Sequence, residues 1–569
     1  MRQNEAFWIV IRRLRAPFLA IIVTYAISIL LLTLVAGKDN DGNVYYLTFF
    51  DAFYIISYTA NTIGFGEIPY ALTYPQRLVM TISIYLTVPA WFYAIGTIVG
   101  LFRDMAFQRA LKRISFRRSI GHINEDFVVI CGYNSISRIM IEKFQLYGKY
   151  RIVVLDKIED KIDELNMEGY YPTVPALAAD ATMTDVLEDA GISSPHCKAL
   201  FVLFEDDDIN IKVAVKAKIL NDNISIVAES SFSAGLQNLK DVGVEHVIDP
   251  YHYVATRIEY MLNTPHLYAL LNWLSGGNLN LSKKTKLTRG KYIICSRGRL
   301  GKAIKEVLLK NGIEYEIVDI FKETKAKEGG DRELLLKAGI EKAECIIAGT
   351  PDDAVNLSAI ITARKLNPGI FVMVRENKME ENSVFAALRA NAVFVMDRIV
   401  AVRSYNIIAR PMVVRFADEL CKKSDEWGQH IVGRLTEIIN KKPQLKEINI
   451  NEEEAYALLP TLQKQTITYR DLVANVDGKG RELELVILGL LRRSGEFVMG
   501  PSFSSNFEIG DKILIAGTDD AIDEFEEILN NFGKLYFVLN KQEEPNWLIE
   551  RLSKFIQKKV QSPKKSKEL

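Results

Sequence analysis

The six residues Thr62-Ile63-Gly64-Phe65-Gly66-Glu67 have the most specific chemistry open to them of any stretch in the sequence. Two glycines flanking one aromatic let the backbone alternate between left- and right-handed dihedrals, and other residues are strained in the left-handed region. Such a backbone turns successive carbonyls toward one axis. Four copies around that axis would stack rings of carbonyl oxygens able to replace the water shell of a potassium ion. The competing reading is a glycine-containing turn between two buried helices, and the flanking sequence decides between the two.

A second set of residues could hold a dinucleotide. Asp126 to Gly132 reads as a strand entering a turn, Ser135 to Tyr147 as a helix, and Arg151 to Leu155 as a strand with Asp156 at its end. That acid lies 24 residues after Gly132, near the spacing that grips a ribose. The glycine fingerprint is broken, because Asn134 and Ser137 have side chains where backbone and pyrophosphate approach. A phosphate could still sit at the helix N-terminus around Asn134 and Ser135. The pattern returns after Tyr292-Ile293-Ile294-Cys295. Here Ser296-Arg297-Gly298-Arg299-Leu300-Gly301 keeps the second and third glycines, and Asp319 follows Ser296 by 23 residues. Arg297 and Arg299 could pair with phosphates, which makes this the better dinucleotide site; a fold relic without ligand is the alternative. A third set, Glu205, Asp206, Asp207 and Asp208, follows the strand Ala199 to Phe204. Its hard oxygens would suit calcium, or they form a solvated helix cap.

The elements that must position these residues fall into two kinds. Phe18 to Ala36 is an uncharged apolar run of 19 residues, and Leu78 to Leu101 one of 24. At ~1.5 Å per residue both approach the ~30 Å of a bilayer core. Lys38 to Asn43 is a polar turret. Thr48 to Ala60 is too short to span and reads as a re-entrant helix, with non-helical backbone after it that only protein or water can solvate. Arg12, Arg13 and Arg15 precede the first span, and Arg103, Arg109, Lys112, Arg113, Arg117 and Arg118 follow the second. Both termini are therefore expected in the cytoplasm of a multi-pass inner (plasma) membrane protein. Pro89, Gly96 and Gly100 lie in the second span and could kink it, allow close helix approach or bend it as a gate.

From residue 123 onward, strands alternate with helices, as in a parallel sheet covered on both faces. Further strands are expected at Ser225 to Glu229 and His246 to Ile248, and Pro250 to Trp273 has helical spacing broken at Pro265. Ala190-Gly191-Ile192 recurs as Ala338-Gly339-Ile340. Asp206, Asp207 and Asn210 recur as Asp352, Asp353 and Asn356, so the domain is duplicated. Pro411 to Lys442 reads as helical. Lys446 to Ile450, Leu483 to Leu491 and Lys512 to Ile515 read as strands, and Asp519 to Phe532 as a helix stopped by Gly533. The chain of 569 residues balances 71 basic against 71 acidic side chains, so bulk charge offers nothing to a nucleic acid. Five scattered cysteines without a CxxC pair fit free thiols in a reducing compartment.

Thr62 to Glu67 resembles the potassium-channel signature, with Ile63, Phe65 and Glu67 as variants, Asn61 a departure just before it, and Thr59 fitting the pore-helix threonine. Residues 123 to about 538 resemble tandem regulator-of-potassium-conductance (RCK, TrkA-N/TrkA-C-like) domains of prokaryotic two-transmembrane channels. The resemblance rests on Cys131-Gly132 to Asp156, Ala179-Asp180-Ala181-Thr182, Asp206-Asp207, Gly298, Gly301, Asp319 and Asp331, and Phe507 to Gly517. It implies a membrane α-helical pore module plus cytoplasmic α/β domains, two of them Rossmann-like, with a C-terminal mixed α/β lobe. It also implies a filter of Thr62, Ile63, Gly64, Phe65 and Gly66, and nucleotide contacts extending to Asp180 and Asp331. The implied assembly is a homotetramer with an eight-domain cytoplasmic ring, moved by small intracellular ligands: NAD or an adenine nucleotide, or calcium.

The expected domains are 1–120 (pore), 123–287 (first RCK domain), 288–410 (second), 411–538 (linker and C-terminal lobe) and 539–569 (tail). A potassium channel with no voltage-sensing span is the function expected. A membrane-tethered NAD-dependent oxidoreductase, a non-conducting nucleotide sensor and a weakly selective cation channel are the rivals. The six histidines are scattered and form no acid/base constellation.

Overall fold

The computed structural model describes residues 5–64, 69–230, 233–276, 281, 286–320, 330–377, 385, 387–388, 390–438, 443–474 and 476–542. Two compact units divide the chain, one mainly residues 1–124 and the other mainly 125–569.

The first unit runs α1 (Glu5–Leu34), β1 (Ala36–Lys38), β2 (Val44–Tyr46), α2 (Phe49–Ala60), α3 (Tyr74–Arg103) and α4 (Met105–Gly121). Val10–Leu34 and Tyr74–Arg103 are long and apolar enough to cross a bilayer. A soluble core helix would bury such a surface. Here only 22% and 28% of the two most apolar windows is buried, and Phe18, Ile22, Tyr85 and Phe92 project outward. Exposed apolar surface on that scale is at home in lipid rather than water. The two helices pack on each other, with Trp91 Nε1 donating to the Tyr25 hydroxyl at 2.9 Å.

The polar turret is the tip of the antiparallel β1–β2 hairpin. Asp39 closes it by accepting the amides of Asp41 at 3.0 Å and Asn43 at 2.7 Å. Gln76, fully buried, accepts the Thr73 amide at 3.0 Å and lies under Gly37, where a Cβ would come within 2.7 Å of it. α3 continues as helix through Pro89, Gly96 and Gly100. The chain breaks at Asp104 instead, whose carboxylate caps α4 by accepting from Ala106 N at 2.9 Å and Phe107 N at 3.2 Å.

The first α/β module comprises β3 (Phe127–Cys131), α5 (Ser135–Tyr147), β4 (Arg151–Asp156), α6 (Glu159–Met167), β5 (Ala176–Ala178), α7 (Thr184–Asp189), β6 (Cys197–Val202), α8 (Asp207–Leu220), β7 (Ser225–Glu229), α9 (Ser233–Asp241) and β8 (His246–Ile248). Its sheet order is β5-β4-β3-β6-β7-β8, the doubly wound order with a switch point between β3 and β6. β3 and β4 are apolar runs buried on both faces, as parallel strands between helical layers must be. The three-residue β5 is absent from the sequence reading because a run that short has no periodicity to read. α10 (Pro250–Asn263) and α11 (Pro265–Leu274) each start on a proline at the first helical turn, where no N–H is needed.

The second module repeats the plan with β9 (Tyr292–Cys295), α12 (Arg299–Lys310), β10 (Tyr315–Ile317), α13 (Asp331–Lys337), β11 (Cys345–Ala348), α14 (Asp353–Leu366), β12 (Phe371–Glu376), β13 (Ala392–Val395) and α15 (Met396–Ala409). Its parallel order is β10-β9-β11-β12-β13. The duplication reaches individual hydrogen bonds. Asn210 accepts Phe204 N and donates to the carbonyls of Phe204 and Glu229, and Asn356 does the same with Thr350 N and the carbonyls of Thr350 and Arg375. Asn221 and Asn367 donate to the carbonyls of Ile192 and Ile340, each at 3.0 Å.

The C-terminal lobe follows through α16 (Pro411–Glu419), α17 (Asp425–Ile438), β14 (Gln444–Asn449), β15 (Leu485–Leu491), β16 (Phe497–Met499), β17 (Lys512–Gly517), α18 (Asp519–Asn530) and α19 (Phe532–Asn540). Its sheet is antiparallel, in the order β14-β17-β15-β16. The largely helical stretch expected from Pro411 to Lys442 is, among the described residues, α16 and α17 with a 3₁₀ turn at Leu420–Lys422 between them. One expectation is corrected here. Gly533 is not a stop: α18 ends at Asn530, and Asn531 caps a new helix by accepting Lys534 N at 3.1 Å.

Candidate functional site

The pore-like segment is built by α2. Its N-terminus is fixed by a capping box in which Asp51 N donates to Thr48 Oγ1 at 3.2 Å and Thr48 N donates to the Asp51 carboxylate at 3.3 Å. Twelve residues make ~18 Å of helix, about half a bilayer core, as the re-entrant reading requires. The backbone then folds back on the helix end, with Thr62 N donating to Thr59 O at 3.0 Å and Ile63 N to Tyr58 O at 2.9 Å. Thr62 takes φ +60° and Gly64 φ +67°, while Ile63 between them does not take a positive φ. The sign of φ thus alternates over these three residues, and a threonine rather than a glycine occupies the first left-handed position, at a cost of about 1–2 kcal/mol. Phe65 and Gly66 lie outside the described residues.

Of the three candidate gate residues, Gly96 and Gly100 would each accept a Cβ with nothing within 4 Å. Close helix approach at these glycines therefore has no partner among the described residues of a single chain. Pro89 is accommodated inside α3.

The first nucleotide crevice lies at the switch point. Gly132 has φ +100°, and a Cβ there would sit 3.0 Å from the Leu203 carbonyl oxygen, so this glycine is required twice over. The other candidates are each engaged by groups of the protein itself. Asn134 caps α5, accepting Ser137 N at 3.1 Å and donating to Leu203 O at 2.8 Å. Ser135 donates to Asp397. Asp156 is 2% exposed and accepts the amides of Tyr133 at 2.8 Å and Ile158 at 2.9 Å. The acid expected to grip a ribose thus holds the glycine loop itself. Asp180 accepts the Thr182 hydroxyl at 2.7 Å and meets Lys157 at 3.3 Å; the Thr182 hydrogen bond leads in holding its carboxyl below the ordinary range.

The second crevice is more open. A Cβ on Gly301 would lie 1.8 Å from the Ser296 carbonyl oxygen, so α12 packs directly on the end of β9. Gly298, the N-cap of α12, faces open space. Arg297 approaches Asp319 at 3.7 Å. Arg299 does not face a phosphate position: it donates to Asp249 at 2.8 Å and stacks on Tyr251. Asp331, 8% exposed, opens α13 and accepts the Ser358 hydroxyl.

The acidic run does not form the expected calcium cluster. Asp206 caps α8 by accepting Asp208 N at 2.9 Å, Asp207 is buried and accepts the Ser230 hydroxyl at 2.9 Å, and Glu205 and Asp208 are exposed. Among the described residues no group of three or more His, Cys, Asp or Glu is placed to hold a metal. The four separate because Glu205 and Asp206 precede α8, and Asp207 and Asp208, successive positions of its first turn, point in different directions. A different acidic neighbourhood appears at Glu229. Burial first, then Asp397, Asp207 and Glu205, push its carboxyl up to about 7. Sequence reading missed Glu229 because its neighbours come from other elements.

Residues 128–250 and 292–396 match the model of the TrkA-N domain. Two segments of the chain, one in each α/β module, thus resemble the TrkA-N domain. Potassium channel protein 1 of Methanocaldococcus jannaschii is 25% identical over 281 residues, 49% of this chain and 80% of that protein. Probable potassium channel protein 2 of the same archaeon is 28% identical over 270 residues, covering 45% and 71%. A solved structure of the GsuK channel bound to NAD is 15% identical and covers 92% of this chain and 100% of its own, at a TM-score of 0.44. That score is too low for the arrangement of one to stand for the other. The chain is thus related to potassium channel proteins, and its two apolar helices suit membrane spans.

Proposed function

We propose that this chain is one subunit of a tetrameric, potassium-selective channel whose pore is opened or closed by a nucleotide bound to its TrkA-N domains. The observation that carries the reading is the segment Thr62 to Gly64. It follows a helix too short to span, lies between two lipid-suited helices, and alternates in backbone handedness. Kinship with potassium channel proteins supports it. Two spans cannot enclose a pore alone, so four copies supply the carbonyl rings, and eight TrkA-N domains then form the cytoplasmic ring. Arginine and lysine at the outer flanks of both spans orient both termini to the cytoplasm.

The second crevice is the preferred nucleotide site. Gly298 leaves open space before the α12 N-terminus, whose free amides and dipole attract phosphate. In the first crevice Asn134 and Asp156 are spent on backbone. A nucleotide shifts the pore only by binding its open and closed states differently. The test is potassium and sodium flux from vesicles containing the purified protein, titrated with NAD, NADH, ADP and ATP. Nucleotide-dependent potassium flux well above sodium flux is expected. Equal permeability refutes the filter, and flux indifferent to every nucleotide refutes the regulation.

A further inference from the structure

A cavity of roughly 230 Å³ lies between α10, the end of α11, β13, α15 and α16. Three arginines line it: Arg257, Arg398 and Arg403. Arg257 is 7% exposed, yet its guanidinium meets only neutral oxygens: Asn272 Oδ1 at 3.0 Å, the Tyr253 hydroxyl at 3.1 Å and Ser275 Oγ at 2.6 Å. Those contacts use three of the five N–H donors of a guanidinium, and Nε has no partner among the described residues. Arg398 donates to the Gly276 carbonyl at 3.0 Å. Of the three, only Arg403 pairs with a carboxylate among the described residues, Asp418 at 2.9 Å.

A buried cation without an anion is costly, because desolvation is not returned by a Coulomb partner. The neighbourhood responds to that charge. Although Tyr253 is buried, Arg257 and the Ser275 hydrogen bond draw its phenol below the ordinary range. The remaining walls include Leu274, Val402 and Val413, which are apolar. We propose that this cavity is a binding site for a small organic oxyanion, with one or two carboxylate or phosphate groups on a short hydrocarbon body. Arg257, Arg398 and Arg403 together supply the positive charge that such an oxyanion group pairs with, and the exposed Arg398 marks the entrance. The volume is below the ~300–1,000 Å³ of drug-sized pockets, so a dinucleotide does not fit and a short acid does.

Calorimetric titration of the full chain in detergent with succinate, citrate and inorganic phosphate, at low chloride, tests the site. At least one of the three is expected to bind below about 1 mM. Arg257→Gln should weaken it at least ~10-fold and Arg398→Gln a few-fold. Arg398→Gln should keep the wild-type unfolding temperature and NAD affinity, which separates this site from the nucleotide crevices. Succinate or citrate binding without phosphate assigns a carboxylate ligand, and the reverse assigns a phosphate. If Arg257→Gln does not fold, Arg257→Lys, which keeps charge but loses the fork, should still weaken binding. No heat with any probe up to ~10 mM, or wild-type affinity in Arg398→Gln and in a folded Arg257 variant, overturns the proposal.

Discussion

Gly301 and Gly298 lie three residues apart at the start of α12, and opposite consequences are expected from the same substitution at each. In Gly301→Ala the new Cβ would lie 1.8 Å from the Ser296 carbonyl oxygen and 2.7 Å from its carbon, where real contacts stay beyond 3.0 Å. Both are backbone atoms, so no side chain can swing away. Either α12 or the end of β9 must move by about 1.2 Å, and overpacking of this kind costs about 3 kcal/mol or more. For a module of 150–250 residues that lowers the unfolding temperature by ~6–12 °C. Gly298→Ala meets nothing within 4 Å at φ −72°. Its cost is that of a poorer helix cap, about 1 kcal/mol, or ~2–4 °C. Its methyl group, however, occupies the space through which a phosphate would approach the helix amides, and a valine there fills more of it. Thermal unfolding of the full chain in detergent, paired with NAD titration, reads both effects. Gly301→Ala is expected to lose stability, while Gly298→Val keeps most of it and loses nucleotide affinity. A Gly301→Ala protein as stable as wild type refutes the close packing of α12 on Ser296. Undiminished NAD affinity in Gly298→Val refutes the second crevice as the nucleotide site.

Three further outcomes are expected. Because the Glu229 carboxyl is raised to about 7 in the folded chain, its stabilising contribution is complete below its ordinary pKa of 4.5 and is lost as pH rises through 7. Glu229→Gln should therefore raise stability at pH 8 by up to about 3 kcal/mol and flatten the pH dependence of unfolding between 4.5 and 7. Some slope should remain from Glu447, also pushed up to about 7 by burial. In the C-terminal lobe Asp511, fully buried, pairs with Arg492 at 2.6 Å and accepts Glu508 N at 2.9 Å. Asp511→Ala strands the guanidinium and should cost ~3–5 kcal/mol in denaturant unfolding; a change below 1 kcal/mol would contradict the pair. At Thr62, φ +60° makes Thr62→Gly neutral or stabilising by about 1 kcal/mol. If the strain belongs to an ion filter, the same change should lower the potassium-to-sodium flux ratio.

Local properties were legible in the sequence. The two spans follow from uncharged apolar runs flanked by arginines, and their low burial agrees with that reading. The short α2 follows from its length and the polar residues before it. The duplicated modules follow from recurring acids, asparagines and glycines, and the same asparagine staples appear in both. Gly132 was legible as the end of a strand entering a turn, and the structure adds its positive φ. The partners of polar side chains were not legible. Spacing placed Asp156 at a strand end, but only the fold brought the Tyr133 and Ile158 amides onto its two oxygens. Arg299 has the spacing of a phosphate contact, yet Asp249, from a distant part of the chain, holds it. Gly533 looked like a helix stop, but the next helix begins before it because Asn531 caps that turn. Arg257 stood in an apolar helix without comment, and only the packing of α10 against α11 and α15 set it over a cavity with neutral partners. Hydropathy and spacing are written into neighbouring residues, so the sequence by itself determined the spans and the repeat, while the left-handed backbone at Thr62 came only with the structure. Burial, ion pairing and the close approach of Gly301 to Ser296 depend on which atoms the folded chain brings together, so the tertiary structure alone decided which charged groups hold the fold and which line a cavity.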